Sequence, residues 1–172
     1  EKAQSHYQQA LKLQQEKLGL HHPTVANTVN NIGNIHRAEG RYSEAAVCYQ
    51  QALEIYKKQL GPSHPYVATA LANLAHTSQS QGEYEKAVEL YKQALEIRRK
   101  VLGDNHPHVA VVLEHLGEID EVQNRYKEAL AHYGAALKTW RTLLGDRHRD
   151  VVVREEWMAR CQSKLVEGAQ KE

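Results

Sequence analysis

Phenylalanine is absent from this 172-residue chain, which holds only four prolines, two cysteines, two tryptophans and one methionine. So little proline leaves few places where a helix must be interrupted. The abundant Ala, Leu, Gln, Glu and Lys favour helix over strand. Cys48 and Cys161 are too few for a disulfide framework and are expected to be reduced thiols in a cytoplasmic protein. Neither sign of charge dominates, with 22 basic and 21 acidic residues. That balance gives no global footprint for nucleic acid or an anionic membrane. The apolar runs are a few residues long, far short of the roughly 20 that a bilayer-spanning helix needs. The chain opens EKAQSHYQQA, polar and helical from the start and without a signal-peptide pattern. With no initiator Met, it is expected to be an excised piece of a longer protein.

What the chain does have is a period. Gly19, Gly61, Gly103 and Gly145 lie 42 residues apart, as do His22, His64, His106 and His148. Pro23, Pro65 and Pro107 keep the same step, and Arg149 breaks it. Further ladders run through Val25, Val67, Val109 and Val151, and through Tyr7, Tyr49, Tyr91 and Tyr133. Tyr42, Tyr84 and Tyr126 form another, as do Ala3, Ala45, Ala87 and Ala129, and Ala10, Ala52, Ala94 and Ala136. Fixed periods of this length mark arrays of supersecondary units.

Each period reads as two helices. The first opens at His-Pro, where proline occupies an early helical position that needs no amide partner. It stops at Gly40, Gly82 or Asn124, residue types that tolerate the left-handed conformation of a helix end. The second starts near Tyr42, Tyr84 or Tyr126 and stops before the next Gly of the ladder. In the middle repeat Tyr84, Ala87, Val88, Tyr91, Ala94, Leu95 and Leu102 fall mostly on one helical face. The alanines are expected where paired helices approach closely and the tyrosines where a gap must be filled. One hairpin cannot bury such a face without neighbours.

Segments such as NTVNNIGNIHRAEGRYSEAAVCYQQALEIYKKQLGPSHP carry a family likeness through Asn31, Ile32, Gly33, Gly40, Tyr42, Ala45, Tyr49, Ala52 and Leu53. The chain resembles tetratricopeptide (TPR) repeat proteins of the 42-residue kinesin light chain type over about its whole length. The resemblance implies an all-α fold, a right-handed superhelical solenoid of helix-turn-helix repeats. The expected organisation is the second helix of a truncated repeat at 1–18 and full repeats at 19–60, 61–102 and 103–144. A C-terminal capping helix at 145–172 is expected to end in a frayed, charged tail. The resemblance also implies a groove, lined by the first helices, that grips a peptide. Its residues would be Asn27, Asn30, Asn31, Asn34 and Arg37, then Thr69, Ala72, Asn73, His76 and Gln79, then Val111, Glu114, His115, Glu118 and Glu121. Spacings of three and four place each set on one helix face.

An asparagine amide offers two donors and an acceptor, which match a peptide backbone whatever its side chains. Asparagine is also a mediocre helix former, so propensity does not account for four of them in NTVNNIGN. Asn31 and Asn73, which match the family's asparagine, are the leading candidates. Glu114, Glu118 and Glu121 on one face would favour a ligand with a basic segment. Val111 and His115 stand where chaperone-tail clamps have basic residues, so that binding is not expected. An acidic third repeat likewise argues against the acidic, Trp-containing cargo that kinesin light chains accept in a basic groove.

Other chemistries fit less well. Histidines one repeat apart sit on helices about 8–10 Å from one another, whereas zinc needs its ligands about 2.1 Å from one point. No metal site and no cofactor are expected. There is no HExxH, no phosphate-binding glycine loop and no nucleophile elbow, so the chain is read as non-catalytic. Cys161 reads as a small half-buried residue of the cap. The expected function is a cytoplasmic scaffold for a protein or peptide ligand, resembling cargo recognition, with microtubule association if it is a motor light chain. The alternative is a self-associating or intramolecular regulatory module of a larger signalling protein. Self-association would run through Tyr7 and Leu11 of the truncated N-terminal helix.

Overall fold

The computed structural model describes residues 2–169, and side-chain surroundings for 6–168. Ala3, the first member of one alanine ladder, and the charged tail at 170–172 lie outside what is described of side chains. Among the described residues every regular element is a helix. In order they are α1 (Lys2–Leu18), α2 (Pro23–Ala38), α3 (Tyr42–Leu60), α4 (Pro65–Ser80), α5 (Tyr84–Leu102), α6 (Pro107–Val122), α7 (Tyr126–Leu144) and α8 (Arg149–Ala169). The chain forms two compact units, 1–97 and 98–172, with the boundary inside α5.

The junctions explain the punctuation in the sequence. His22, His64, His106 and His148 each precede a helix, and each turns Nδ1 back to accept the amide N–H two residues on, at 3.1–3.2 Å. The imidazole does here what Ser or Asp does at other N-caps, satisfying one of the donors that a helix start leaves open. The histidine ladder therefore has a structural role that sequence reading left unassigned. At the other end of α2, the Gly40 N–H donates to the Arg37 carbonyl and the Arg41 N–H to the His36 carbonyl. This Schellman pair recurs after α4 and α6. Asn124, the non-glycine at this position, takes φ 59°, which asparagine tolerates better than other side chains. Beside it, the buried Asp120 accepts two hydrogen bonds from Arg125, at 2.6 and 2.9 Å, and lies 2.7 Å from His132 Nδ1. These contacts tie α6 to α7 across the turn.

In the first unit the core is built from Val25, Ala26 and Val29 of α2, Ala52, Leu53, Ile55 and Tyr56 of α3, Val67, Ala70 and Leu71 of α4, and Ala94 of α5. Leu11 of α1 packs against this cluster, whereas Tyr7 is exposed. Tyr49 is fully buried with Ala45 and Leu74. Its ring lies so close to Gly33 that a Cβ there would come within 2.8 Å of it. In the second unit Ala129, Tyr133 and Cys161 form a buried cluster with Trp157 and Met158 of α8 against it. Gly117 meets Tyr133 as Gly33 meets Tyr49, at 2.6 Å from a hypothetical Cβ. Helix α8 is thus packed by its own aromatic side chain into the fold.

Two stability predictions follow the packing. Ala94→Leu adds volume to a site with no exposed surface and should cost about 1–3 kcal/mol. Lys92→Ala, on the exposed side of the same helix, should stay within about 0.5 kcal/mol. Urea melts of the two variants separate them, and equal midpoints would contradict the assigned faces. For the caps, His64→Ala should cost about 0.5–2 kcal/mol, while His64→Asn should recover most of it. Thermal melts followed by circular dichroism give both values.

Candidate functional site

In the first unit, α2 and α4 present the expected polar residues with their hydrogen bonds partly committed. Asn27 and Asn34 are half-buried. Asn27 Oδ1 accepts from the Tyr56 hydroxyl at 2.5 Å, and Asn34 Oδ1 from the Tyr49 hydroxyl at 2.7 Å. Burial pushes the Tyr56 hydroxyl up to about 12, and raises Tyr49 as well, so both stay protonated donors at neutral pH. Asn73 Nδ2 donates to Asn30 Oδ1 at 3.1 Å, linking α4 to α2. Arg37 Nη1 lies 3.3 Å from His76 Nδ1, a second link between the same helices. Gln79 accepts from Tyr91 at 3.0 Å, and Thr69, exposed, donates to the Pro65 carbonyl of its own helix. Asn31 is half-buried, and its amide has no hydrogen-bond partner among the described residues. No Asp or Glu occurs in either helix.

The second unit differs in its charges. Val111 is half-buried on α6, and His115 Nδ1 sits 3.0 Å from Glu118. Glu114 is buried, against the expectation of an open acidic wall. It accepts from Trp140 Nε1 at 2.6 Å and from the Arg154 guanidinium. That guanidinium stacks 4.6 Å from the Trp140 ring and 5.6 Å from the Trp157 ring. A buried carboxylate needs such a partner, because an unpaired one would be strongly destabilising. Glu121 accepts from Arg160 at 2.6 and 2.9 Å and from the Tyr133 hydroxyl at 3.1 Å. The Arg160 hydrogen bond holds the Glu121 carboxyl below its ordinary range, and Glu121 in turn raises Arg160. Two of the three expected groove carboxylates are therefore held by arginines of α8.

Sequence reading left α8 out of the site. Yet the 42-residue step that links Asn34, His76 and Glu118 continues to Arg160, and the one through Asn31, Asn73 and His115 continues to Trp157. That signal was available; the changed chemistry after Arg149 obscured it. Glu118, Glu121, Tyr126, Tyr133, Trp157 and Arg160 line a cleft of about 510 Å³ with aromatic walls and both signs of charge.

A family model for the tetratricopeptide repeat matches residues 1–58, 24–100 and 66–142, most of the chain. The chain belongs to the tetratricopeptide repeat family. No curated protein sequence matches it significantly. Among solved structures, this TPR chain is similar to BtubC (BKLC) from P. vanneervenii, with 23% identity and a TM-score of 0.86. The alignment covers 95% of this chain and 65% of that one, so the chain spans less than two thirds of that relative's length. A protein from Podosopora anserina, named for nearly identical TPR-like repeats of kinesin light chain type, matches at 22% identity and a TM-score of 0.79. That match covers 98% of this chain and 80% of that one. The Sgt2 TPR domain from Aspergillus fumigatus matches at 23% identity and a TM-score of 0.62, covering 84% and 82%. At these identities the likeness is one of fold: helix-turn-helix TPR repeats, including repeats of the kinesin light chain type.

Among the described residues no group of three His, Cys, Asp or Glu is arranged to hold a metal ion, and no helix is long and apolar enough to cross a membrane. Both cysteines are free thiols. Cys161 is fully buried, and burial together with Glu121 pushes it up to about 11.

The Glu121 cluster makes a pH prediction. Its carboxyl is depressed below the ordinary value of 4.5. The stability it lends is complete above that value and is lost as pH falls through the lower folded one. Arg160→Gln removes the principal donor. Thermal midpoints measured from pH 6 down to pH 3 should fall less steeply for this variant than for the parent. Parallel curves would show that the Arg160 contact does not set the shift.

Proposed function

We propose that this TPR chain is a non-catalytic interaction scaffold that holds a partner or cargo peptide along the first helices of its repeats. TPR domains generally bind protein partners, and the fold supports that role at large. The reading specific to this chain rests on Asn31, whose half-buried amide has no hydrogen-bond partner among the described residues and neighbours the linked pair Asn30 and Asn73 in sequence and repeat position. A half-buried amide left open at the centre of a polar helix face is poised for a ligand backbone. The likeness to repeats of the kinesin light chain type supports cargo recruitment as the specific form. Free thiols are in keeping with a cytoplasmic setting.

A basic ligand segment is less well supported than the sequence suggested. Glu114 and Glu121 are neutralised within the second unit by Arg154 and Arg160, and Glu118 lies 3.0 Å from His115 Nδ1. The mixed cleft lined by Trp157 and Tyr126 is better suited to one bulky ligand side chain than to a run of lysines.

The test is a peptide selected against the intact chain from a random displayed library. Asn31→Ala combined with Asn73→Ala should leave helicity unchanged and weaken that peptide by about 1–3 kcal/mol, as for two net hydrogen bonds. Titration calorimetry reads the difference. Equal affinity for parent and variant would remove these residues from the site.

A further inference from the structure

Three of the four asparagine amides of α2 are not free to face either way. A primary amide carries its oxygen and its NH2 on opposite sides of one carbon, so an oxygen engaged inward turns the N–H groups outward. Asn27 and Asn34 each give Oδ1 to a tyrosine hydroxyl of α3. Asn30 gives Oδ1 to Asn73. All three are left with N–H donors to offer, and Arg37 adds a guanidinium further along the same helix. Neither α2 nor α4 contains a carboxylate to act as a competing acceptor. Asn73 is the exception, because it donates to Asn30 and keeps its own Oδ1.

The tyrosines that impose this polarity are themselves fixed. Tyr49 has no exposed surface and Tyr56 is 2% exposed. The Tyr49 ring is seated against Gly33, where a side chain would collide with it. Tyr56 packs against Tyr66 at 5.4 Å between ring centres. The hydroxyls therefore reach α2 from fixed positions in the core.

We infer that Tyr49 and Tyr56 are positioning residues that orient the Asn34 and Asn27 amides, making the α2 face a hydrogen-bond donor surface for an extended peptide held by its carbonyl oxygens. The inference rests on the scaffold reading and specifies which backbone groups of the ligand this helix takes. Ligand carbonyl oxygens fit the α2 face, where Asn27, Asn30 and Asn34 have their own oxygens engaged.

Deca-proline is the probe, because it is extended, uncharged and has backbone carbonyls but no backbone N–H within the proline run. Side-chain amide resonances of the 15N-labelled intact chain are followed during titration. Saturable shifts of the Asn27, Asn30 and Asn34 NH2 groups are expected. Tyr49→Phe with Tyr56→Phe keeps both rings and releases both amides. It should preserve helicity, lose the nuclear Overhauser contacts that fix the NH2 orientation, and weaken deca-proline about threefold to tenfold. Asn27→Asp with Asn34→Asp keeps the inward oxygen and removes the outward N–H, so probe binding at these positions should vanish. Lys92→Ala, on the exposed side of α5, should leave the probe unaffected. Two results would overturn the inference: no shift at the three amides, or equal probe affinity for the tyrosine double variant and the parent. If those occur while Asn31→Ala with Asn73→Ala still weakens the selected peptide, the scaffold reading stands and only the donor polarity is wrong.

Discussion

The close approach of the two helices in each hairpin is the constraint on which the rest depends. It is made by small residues on the inner faces, Gly33 with Ala45 and Ala52 in one repeat, Gly117 with Ala129 and Ala136 in another. A tyrosine from the second helix then seats its ring against the glycine of the first. The packing leaves no room for a methyl group at Gly33 or Gly117. Because the ring is fixed, its hydroxyl is delivered to the polar face of the first helix. Tyr49 reaches Asn34, Tyr91 reaches Gln79 and Tyr133 reaches Glu121. Core and candidate site are thus joined through single side chains, and a change in packing alters the site's hydrogen bonding.

The same scaffold carries different electrostatics in its two units. Where the first unit engages Asn27, Asn30 and Asn34 with neutral partners, the second engages Glu114 and Glu121 with arginines. Exchanging amides for ion pairs preserves the geometry and changes what remains for a ligand. The Glu114–Arg154 pair between two tryptophans is largely removed from water, and its role is to fix α8 against α6. The Glu121–Arg160 pair is more open and is screened accordingly by salt.

Periodicity made much of the fold legible. The His-Pro openings, the Gly or Asn stops and the alternating small and aromatic positions mark helix boundaries, because each reflects a local backbone or packing requirement of one hairpin. That Asn27, Asn30, Asn31 and Asn34 share one face of α2 was also readable, from their helical spacing. The histidine caps were less so. Imidazole as an N-cap acceptor is a geometric outcome of its χ angles, and residue type alone favours other readings.

Sequence by itself determined the repeat, the helices and the residue types on each face, because those follow from spacing along one chain. Tertiary structure alone decided which polar groups remain available. Asn34 and Asn27 receive their partners from α3, and Glu114 and Glu121 receive theirs from α8, 39 or 40 residues away. Charge counted along α6 gives an acidic wall; charge counted in space gives ion pairs, because a carboxylate's field is set by its nearest cation rather than by its own helix.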